Sequence, residues 1–326
     1  MTAVSVFIDV EDPLNPLADD AALDILSVFD SVGVRGSFCL TGEKCRTLVS
    51  RGRQDVLEAF KPHCLGLHTD THSYHPTTME LLADCSFEVG CERAFAAESR
   101  GLAAFEAAFG RTPAFWGGAG NTWAPEITDA LKRLSIPAYC YALTALPDNA
   151  VHQFNGVIAL PQALSISESD WADDSCATTR SDEVLAAISD SKQPWLGIFV
   201  GHPTRFRYDR FWDMPFADGA SPSIPDLATP VDEETYERSK VNLATFFREL
   251  TNVVGVDTAL NFQWCDAKPT SEEVEYFRTA TSAAIRSAKH WPIHRANLDT
   301  ELILQKTLEL ESTLLVRTVG RVHVAP

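Results

Sequence analysis

Residues 65–75 have the sequence LGLHTDTHSYH, a short apolar run followed by three histidines within eight residues. His68 and His72 are four residues apart, so one helical turn would place both imidazoles on one face, where they could share a divalent cation. His72 and His75, three residues apart, could do the same. Clustering of three of the chain's nine histidines favours a metal site over loop histidines that bond only to backbone or water.

A pair of acidic residues follows the first apolar segment of the chain. Residues 4–8 predict a buried strand that runs directly into Asp9, Val10, Glu11, Asp12 and Pro13. Since strand side chains alternate, Asp9 and Glu11 should share a face, with one carboxylate available for a metal and the other as a base. Alternatively, these acids could cap the next helix or lie in a solvated turn, and Asp12 before Pro13 suits that alternative best.

The remaining pattern alternates between apolar strands and amphipathic helices, which predicts a parallel α/β fold. Strands are predicted at 3–9, 34–40, 64–67, 114–116, 138–142, 157–160, 196–201 and 256–264. Helices are predicted at 19–31, 79–109, 124–134, 239–250, 271–290 and 298–315. The 79–109 helix should end at Gly110, because glycine commonly terminates helices.

Four motifs in order resemble the polysaccharide-deacetylase (NodB-homology) superfamily of metal-dependent amide hydrolases. They are the acids after the first strand, residues 36–42 (GSFCLTG), His68–His72, and residues 196–202 (LGIFVGH). The resemblance covers roughly residues 3–205. It implies a distorted TIM-like (β/α) barrel of mostly parallel strands, here with extra C-terminal helices.

The resemblance also implies the roles of individual residues. Glu11, His68 and His72 would hold Zn²⁺ or another divalent cation (Co²⁺, Mn²⁺ or Ni²⁺), with Asp9 as the base and His202 as the proton donor to the leaving nitrogen. Asp12 and His75 are further candidates as metal ligands or as residues that support the ligands. Two histidines and a carboxylate also serve some iron oxygenases, so it is the resemblance that favours hydrolysis.

Departures from the family pattern concern the first and third motifs. The Asp-x-Glu spacing resembles a branch with cyclic-imide hydrolases and peptidoglycan-deacetylase-like members. The third motif, residues 112–121, lacks the usual arginine, and Trp116 is in its place. Trp116, Asn121 and Arg205 are the predicted substrate-binding residues.

Two regions are expected along the chain. Residues 1–265 should form the catalytic barrel, in which the aromatic, proline-rich segment 203–238 forms a lid or a substrate wall. Residues 266–326 should form a helical extension that covers the barrel or contacts a second copy in a homo-oligomer.

Composition restricts the partners and the compartment. The formal net charge of −18 disfavours nucleic acids and anionic membranes, and no apolar stretch is long enough to span a bilayer. The eight cysteines lack C-x-x-C spacing, and no basic segment precedes an apolar one near the N-terminus, so a cytoplasmic protein is expected.

The function expected from these features is metal-dependent hydrolysis of C–N amide bonds, most simply deacetylation of an N-acetylated saccharide or its precursor. A cyclic-imide hydrolase, or an allantoinase-like amidohydrolase that needs no metal, is one alternative. A catalytically silent carbohydrate-binding protein is another. The expected substrate is a small molecule or a short saccharide.

Overall fold

Apolar stretches form the strands, and most of the helices between them are amphipathic, as the alternating pattern predicts. A computed structural model describes residues 3–83, 85–122, 124–141, 152–167, 169–191, 195–219, 221–223, 225–254, 264–267 and 315–318. The strands are β1 Ala3–Val10, β2 Ser37–Leu40, β3 Cys64–Leu67, β4 Phe115–Gly117, β5 Ala138–Tyr141, β6 His152–Phe154, β7 Val157–Ser165, β8 Trp195–Gly201, β9 Trp264–Ala267 and β10 Leu315–Thr318. The helices are α1 Leu17–Ser31, α2 Gly42–Ser50, α3 Gln54–Phe60, α4 Thr78–Leu82, α5 Phe87–Phe109, α6 Pro125–Arg133, α7 Cys176–Asp190, α8 Pro203–Arg207 and α9 Glu233–Val253.

Seven parallel strands close into a ring. They follow one another in the order β5, β4, β3, β2, β1, β8, β7, and β7 also pairs in parallel with β5. Strand β6 is added to β7 in antiparallel orientation, and β9 and β10 form a separate antiparallel pair. The predicted TIM-like barrel is confirmed, and its ring consists of the first seven predicted strands.

Side chains on the ring strands alternate between two environments. On β1, Val4, Val6 and Ile8 belong to the main core, which includes buried residues of the surrounding helices. Phe7 belongs to a smaller cluster that takes residues from all seven ring strands and therefore fills the interior. Within this cluster Phe7 meets Phe115 edge to face, with ring centroids 5.6 Å apart.

Two helices, α4 and α5, replace the single helix predicted over 79–109. Thr77 and Glu80 form a capping box at the start of α4, and the Ser86 hydroxyl caps the start of α5. These caps satisfy backbone N–H groups that a continuous helix would bond internally, so the chain restarts at Ser86. The predicted end at Gly110 is confirmed, with a left-handed φ of 66°.

Helices α2, α3, α7 and α8 were not predicted. Three of them are only 5–9 residues long, too short to show a clear period. The 15-residue α7 buries only Cys176, Ala177, Ser181 and Val184, whose small or polar side chains produce a weak apolar pattern. The predicted helices at 19–31, 124–134 and 239–250 correspond to α1, α6 and α9.

Several expectations fall outside the described residues. They are the helix at 271–290, most of the helix at 298–315, most of the strand at 256–264, and nearly all of the extension 266–326. Within the described part of the chain, no helix is both long enough and apolar enough to cross a membrane.

Candidate metal and catalytic site

Strand β1 brings two carboxylates to the mouth of the ring, where the carboxyl ends of the parallel strands meet. Asp9 lies near the end of β1, and Glu11 follows it. Carboxylate oxygens of both residues lie within 4.8 Å of each other and of a ring nitrogen of His202, which follows β8. The predicted common face for Asp9 and Glu11 is therefore confirmed.

His68 and His72 lie in a loop after β3. Thr69 and His72 have left-handed backbones, with φ of 58° and 52°, and the His72 N–H donates to Thr69 Oγ1 over 3.1 Å. Such residues cannot continue a right-handed helix, so the helical turn predicted from the spacing is wrong. The predicted convergence is nevertheless found, because the two ring centroids are 4.9 Å apart.

Asp70, in the middle of this loop, holds it against two helices. Its carboxylate accepts hydrogen bonds from Arg46 Nη2 on α2 over 2.7 Å and from Arg100 Nε on α5 over 3.1 Å. Its carbonyl oxygen accepts the Glu43 N–H over 2.8 Å. These charged bonds offset the cost of the left-handed residues on either side of Asp70.

The partners of each imidazole determine which ring nitrogen carries the proton. His68 Nδ1 lies 3.0 Å from the Gly117 carbonyl oxygen, which can only accept, so Nδ1 donates. His72 Nδ1 lies 2.6 Å from Ser73 Oγ, which itself donates to Asp213 Oδ2 over 2.8 Å. Because the hydroxyl has only one proton, His72 Nδ1 must donate to it. In both neutral imidazoles the lone pair is therefore at Nε2.

These two Nε2 atoms converge on one oxygen of Glu11. Glu11 Oε2 lies 2.8 Å from His68 Nε2 and 3.0 Å from His72 Nε2, yet it is buried and makes no well-aligned hydrogen bond. Three atoms that direct lone pairs at one another are unfavourable unless a cation or a proton lies among them. Two histidines and a carboxylate are a donor set that divalent cations such as Zn²⁺ accept. These three side chains therefore fit a divalent cation.

Charges within the cluster also favour a positive ion. Burial alone would raise the pKa of Glu11, but His72, His202 and His68 outweigh it and hold that pKa well below its ordinary value. Burial alone would lower the pKa of His68, but its acidic neighbours, chiefly Asp9, raise it well above its ordinary value. The cluster is therefore an environment that favours positive charge, which a divalent cation would supply.

Asp9 and His202 occupy the open side of the cluster. Asp9 Oδ2 lies 3.6 Å from His68 Nε2, and His202 Nε2 lies 3.8 Å from Glu11 Oε1. Their side chains are 15% and 17% exposed, whereas that of His68 is 3% exposed. Burial raises the pKa of Asp9 and lowers the pKa of His202. These two groups are therefore the ones that a substrate can reach.

Cys39 is a neighbour of the site that the sequence did not indicate. Its sulfur lies within 4.8 Å of ligand atoms of Asp9 and His68. Burial raises the pKa of the Cys39 thiol to about 11, so it remains protonated and is a poor nucleophile. Its position in an apolar strand resembles that of the chain's other buried cysteines, so no pattern could distinguish it.

The segment predicted as a lid or substrate wall, 203–238, lies over the ligands. Trp212 is buried, and its Nε1 donates to Glu11 Oε1 over 2.9 Å. Phe216 packs on Tyr74 of the histidine loop (residues 68–77, between β3 and α4), with ring centroids 4.7 Å apart. The roles of Trp212 and of Asp213 beside it could not be predicted, because they depend on contacts between residues far apart in sequence.

Asp12 lies outside the cluster. Its Oδ1 accepts the N–H groups of Leu14 and Asn15 over 2.9 and 3.0 Å, and its Oδ2 accepts the Thr204 hydroxyl over 2.7 Å. Asp12 therefore organises the turn before α1, as the alternative interpretation of the Asp12–Pro13 pair had it.

His75 is also turned away from Glu11. Its Nδ1 lies 2.7 Å from Glu80 Oε2, and its Nε2 donates to the Phe216 carbonyl oxygen over 3.0 Å. With both ring nitrogens engaged, His75 joins the histidine loop to the covering segment and has no lone pair directed at the cluster.

The predicted substrate-binding residues lie in three different settings. Trp116 is fully buried and its Nε1 donates to Glu98 Oε2 over 2.9 Å, so its predicted contact with substrate is wrong. The reason is alternation along β4, which turns Trp116 toward α5 and leaves the next residue at the ring interior. Arg205 is exposed on α8, and the side chain of Asn121 lies outside the described structure. Their substrate roles stay predictions.

Comparisons with known proteins give similar folds at low sequence identity. No family model and no curated protein matches this chain. A CE4 family pseudoenzyme from Bacillus anthracis has a TM-score of 0.43 and 11% identity over 79% of this chain and 64% of that chain. A family 4 carbohydrate esterase from Streptomyces lividans, in complex with acetate, has a TM-score of 0.41 and 13% identity, and the match covers 79% of this chain and 92% of that chain. A CE4 esterase from Streptococcus mutans has a TM-score of 0.46 and 14% identity, and the match covers 79% of this chain and 85% of that chain.

The match thus spans slightly less than two thirds of the length of the B. anthracis pseudoenzyme. Similarity at this level carries no information about activity, and the function proposed below depends on this chain's own residues.

Proposed function

We propose that this chain is a member of the polysaccharide-deacetylase superfamily and hydrolyses a C–N amide bond with the help of a divalent cation. The observation that carries the proposal is the convergence of Glu11 Oε2 with the Nε2 atoms of His68 and His72, at 2.8 and 3.0 Å. Asp9 and His202 flank this cluster on its exposed side. The order of the four sequence motifs supports the same superfamily.

Each residue of the cluster has a task in such a reaction. A divalent ion held by Glu11, His68 and His72 would polarise an amide carbonyl and make water more acidic. Asp9 would take the proton from the attacking water, and its raised pKa makes it a stronger base than an ordinary aspartate. His202, on the same exposed side of the cluster, would donate a proton to the leaving nitrogen.

The substrate we propose is a small soluble molecule, namely a short N-acetylated saccharide or its precursor. Under Trp212 the side chains of Glu11, His68 and His72 are only 1–7% exposed, whereas a long polymer needs an open groove. The net charge of −18 also disfavours an anionic polymer. A metabolite of this kind agrees with the cytoplasmic location expected from the sequence.

A cyclic amide is the second candidate. The Asp-x-Glu spacing of Asp9 and Glu11 favours it. The side chains of Asp9 and His202 are only 15% and 17% exposed, which suits a compact, ring-shaped imide or ureide. In both candidates the bond that breaks is an amide C–N bond, so the same residues would act on both.

Activity screening tests the proposal. Protein loaded with Zn²⁺, Co²⁺, Mn²⁺ or Ni²⁺ is assayed on N-acetyl sugars, cyclic imides and ureides, with Asp9→Asn as the matched inactive control. We expect turnover of at least one class by the wild type, abolished by chelation and in the control. Turnover that survives removal of the metal would favour the metal-free, allantoinase-like alternative. Deacetylation of long chitin or peptidoglycan strands without turnover of small amides would refute the small substrate.

A further inference from the structure

A short stretch of chain contacts two of the three candidate metal ligands from outside. Residues 211–216, here named the cover segment, include Trp212, which donates to Glu11 Oε1 over 2.9 Å. They also include Asp213, whose Oδ2 accepts a hydrogen bond from the Ser73 hydroxyl over 2.8 Å. The same hydroxyl oxygen accepts a hydrogen bond from His72 Nδ1 over 2.6 Å. Neither contact takes part in the reaction proposed above.

We infer that Trp212 and Asp213 are positioning residues for the cation, and that the cation and the cover segment stabilise one another's placement. The inference rests on the proposed function, because it takes Glu11, His68 and His72 as ligands of a divalent ion. It extends that function by assigning part of the ion's affinity to a segment more than 130 residues away from the histidines along the chain.

Trp212 acts on the carboxylate. Glu11 has two oxygens, and the indole N–H engages Oε1 while Oε2 faces the two histidine nitrogens. This bond prevents the carboxylate from rotating and leaves one oxygen for the ion. The Trp212 ring also packs against the ring of His72, with centroids 5.5 Å apart, so it limits movement of a second ligand. Groups that orient ligands in this way commonly raise metal affinity.

Asp213 acts on the tautomer of His72. Ser73 Oγ donates its only proton to Asp213 Oδ2, so toward His72 Nδ1 it can only accept a hydrogen bond. The lone pair of His72 is then at Nε2, where Glu11 and the ion lie. Without Asp213, the Ser73 hydroxyl could donate to Nδ1 instead, and the proton would move to Nε2, which could then not bind a metal.

The cover segment is attached to the same loop that carries the histidine ligands. Tyr74 packs on Phe216, and His75 Nε2 donates to the Phe216 carbonyl oxygen over 3.0 Å. The loop and the segment therefore form one packed unit with the ligands between them. An ion that orders the ligands also orders the segment, and by reciprocity a well-placed segment increases the affinity for the ion.

The test measures Zn²⁺ affinity of the full-length, metal-stripped protein by competition with a chelating dye. The variants are Trp212→Phe, which removes only the N–H and one ring, and Asp213→Ala. The matched control is Trp171→Phe, because Trp171 is also buried, packs between Phe206 and Phe246, and its Nε1 has no hydrogen-bond partner among the described residues. We expect roughly 10–100-fold weaker binding in both variants and no change in the control.

A second readout is independent of affinity. Long-range ¹H–¹⁵N NMR of the histidine side chains distinguishes the two neutral tautomers, and it should show the proton of His72 at Nδ1 in the wild type but also at Nε2 in Asp213→Ala. If the wild type binds Zn²⁺ and both variants bind it as tightly with an unchanged tautomer, the inference is overturned while the proposed function stands. If the wild type binds none of Zn²⁺, Co²⁺, Mn²⁺ or Ni²⁺, the metal-dependent function fails, and the inference with it.

Discussion

Glu98 on α5 should make the stability of this protein fall as the pH rises. The side chain is fully buried, and it accepts hydrogen bonds from Trp116 Nε1 over 2.9 Å and from Thr78 Oγ1 over 3.1 Å. Burial outweighs these bonds and raises the pKa of Glu98 from 4.5 to about 7. Because the proton binds more tightly in the folded protein than in the unfolded chain, the stabilisation it contributes is present below pH 4.5 and is lost as the pH rises through 7.

The difference between the two pKa values, about two and a half pH units, corresponds to roughly 3 kcal/mol of the free energy of unfolding. Glu98→Gln has nearly the same shape and no proton to lose, so it should abolish this part of the pH dependence. Asp9, whose pKa burial also raises, produces the same trend in both proteins, and the difference between them therefore isolates Glu98.

The assay is urea unfolding of the wild type and of Glu98→Gln at a series of pH values from about 4.5 to 8, with Glu106→Gln, an exposed position on the same helix, as the control. The wild type and the control should lose roughly 3 kcal/mol more over this range than Glu98→Gln does. Parallel pH profiles for all three proteins would refute the reasoning, because they would mean that Glu98 ionises alike in the folded and unfolded states.

Three further predictions concern the cluster. His68→Ala and His72→Ala each remove one of three ligands, so elemental analysis after dialysis should find less than stoichiometric metal in each variant. Full metal occupancy in both variants would mean that the ion binds elsewhere. Asp9→Asn should keep the metal and lose turnover by about 10²-fold or more, and an empty site in that variant would make Asp9 a ligand. Zn²⁺ at about 100 times its Kd should stabilise the folded protein by roughly 3 kcal/mol, measured as a higher urea midpoint; an unchanged midpoint would argue against binding to the folded state.

Local patterns were sufficient to predict the parallel strands and the acidic half of the site, whereas the closed ring was implied by the family resemblance. The alternation of β1 placed Asp9 and Glu11 on one face, and the structure brings both to the mouth of the barrel together with His202. The spacing of His68 and His72 correctly predicted that they converge but suggested the wrong backbone. The left-handed residues Thr69 and His72 lie on either side of Asp70, which accepts hydrogen bonds from Arg46 and Arg100 on distant helices. No local pattern contains such contacts.

The errors at Trp116 and the omission of Trp212 have a common cause. Both are aromatic residues near the expected site, and which of them faces the ligands depends on strand register and on how a distant segment folds back. Trp116 occupies a position on β4 whose side chain points away from the ring interior. Trp212 instead reaches Glu11 from a turn after α8, and the two residues are 201 positions apart in the sequence. Sequence spacing carries no information about contacts of that range.

The most direct test of a divalent cation at Glu11, His68 and His72 is anomalous diffraction from a crystal of the protein soaked in Zn²⁺. We expect one strong anomalous peak about 2.0–2.2 Å from Glu11 Oε2 and from the Nε2 atoms of His68 and His72, with Asp9 outside bonding distance. No peak at that position, or a peak bonded to Asp9 and Cys39 instead, would contradict this expectation.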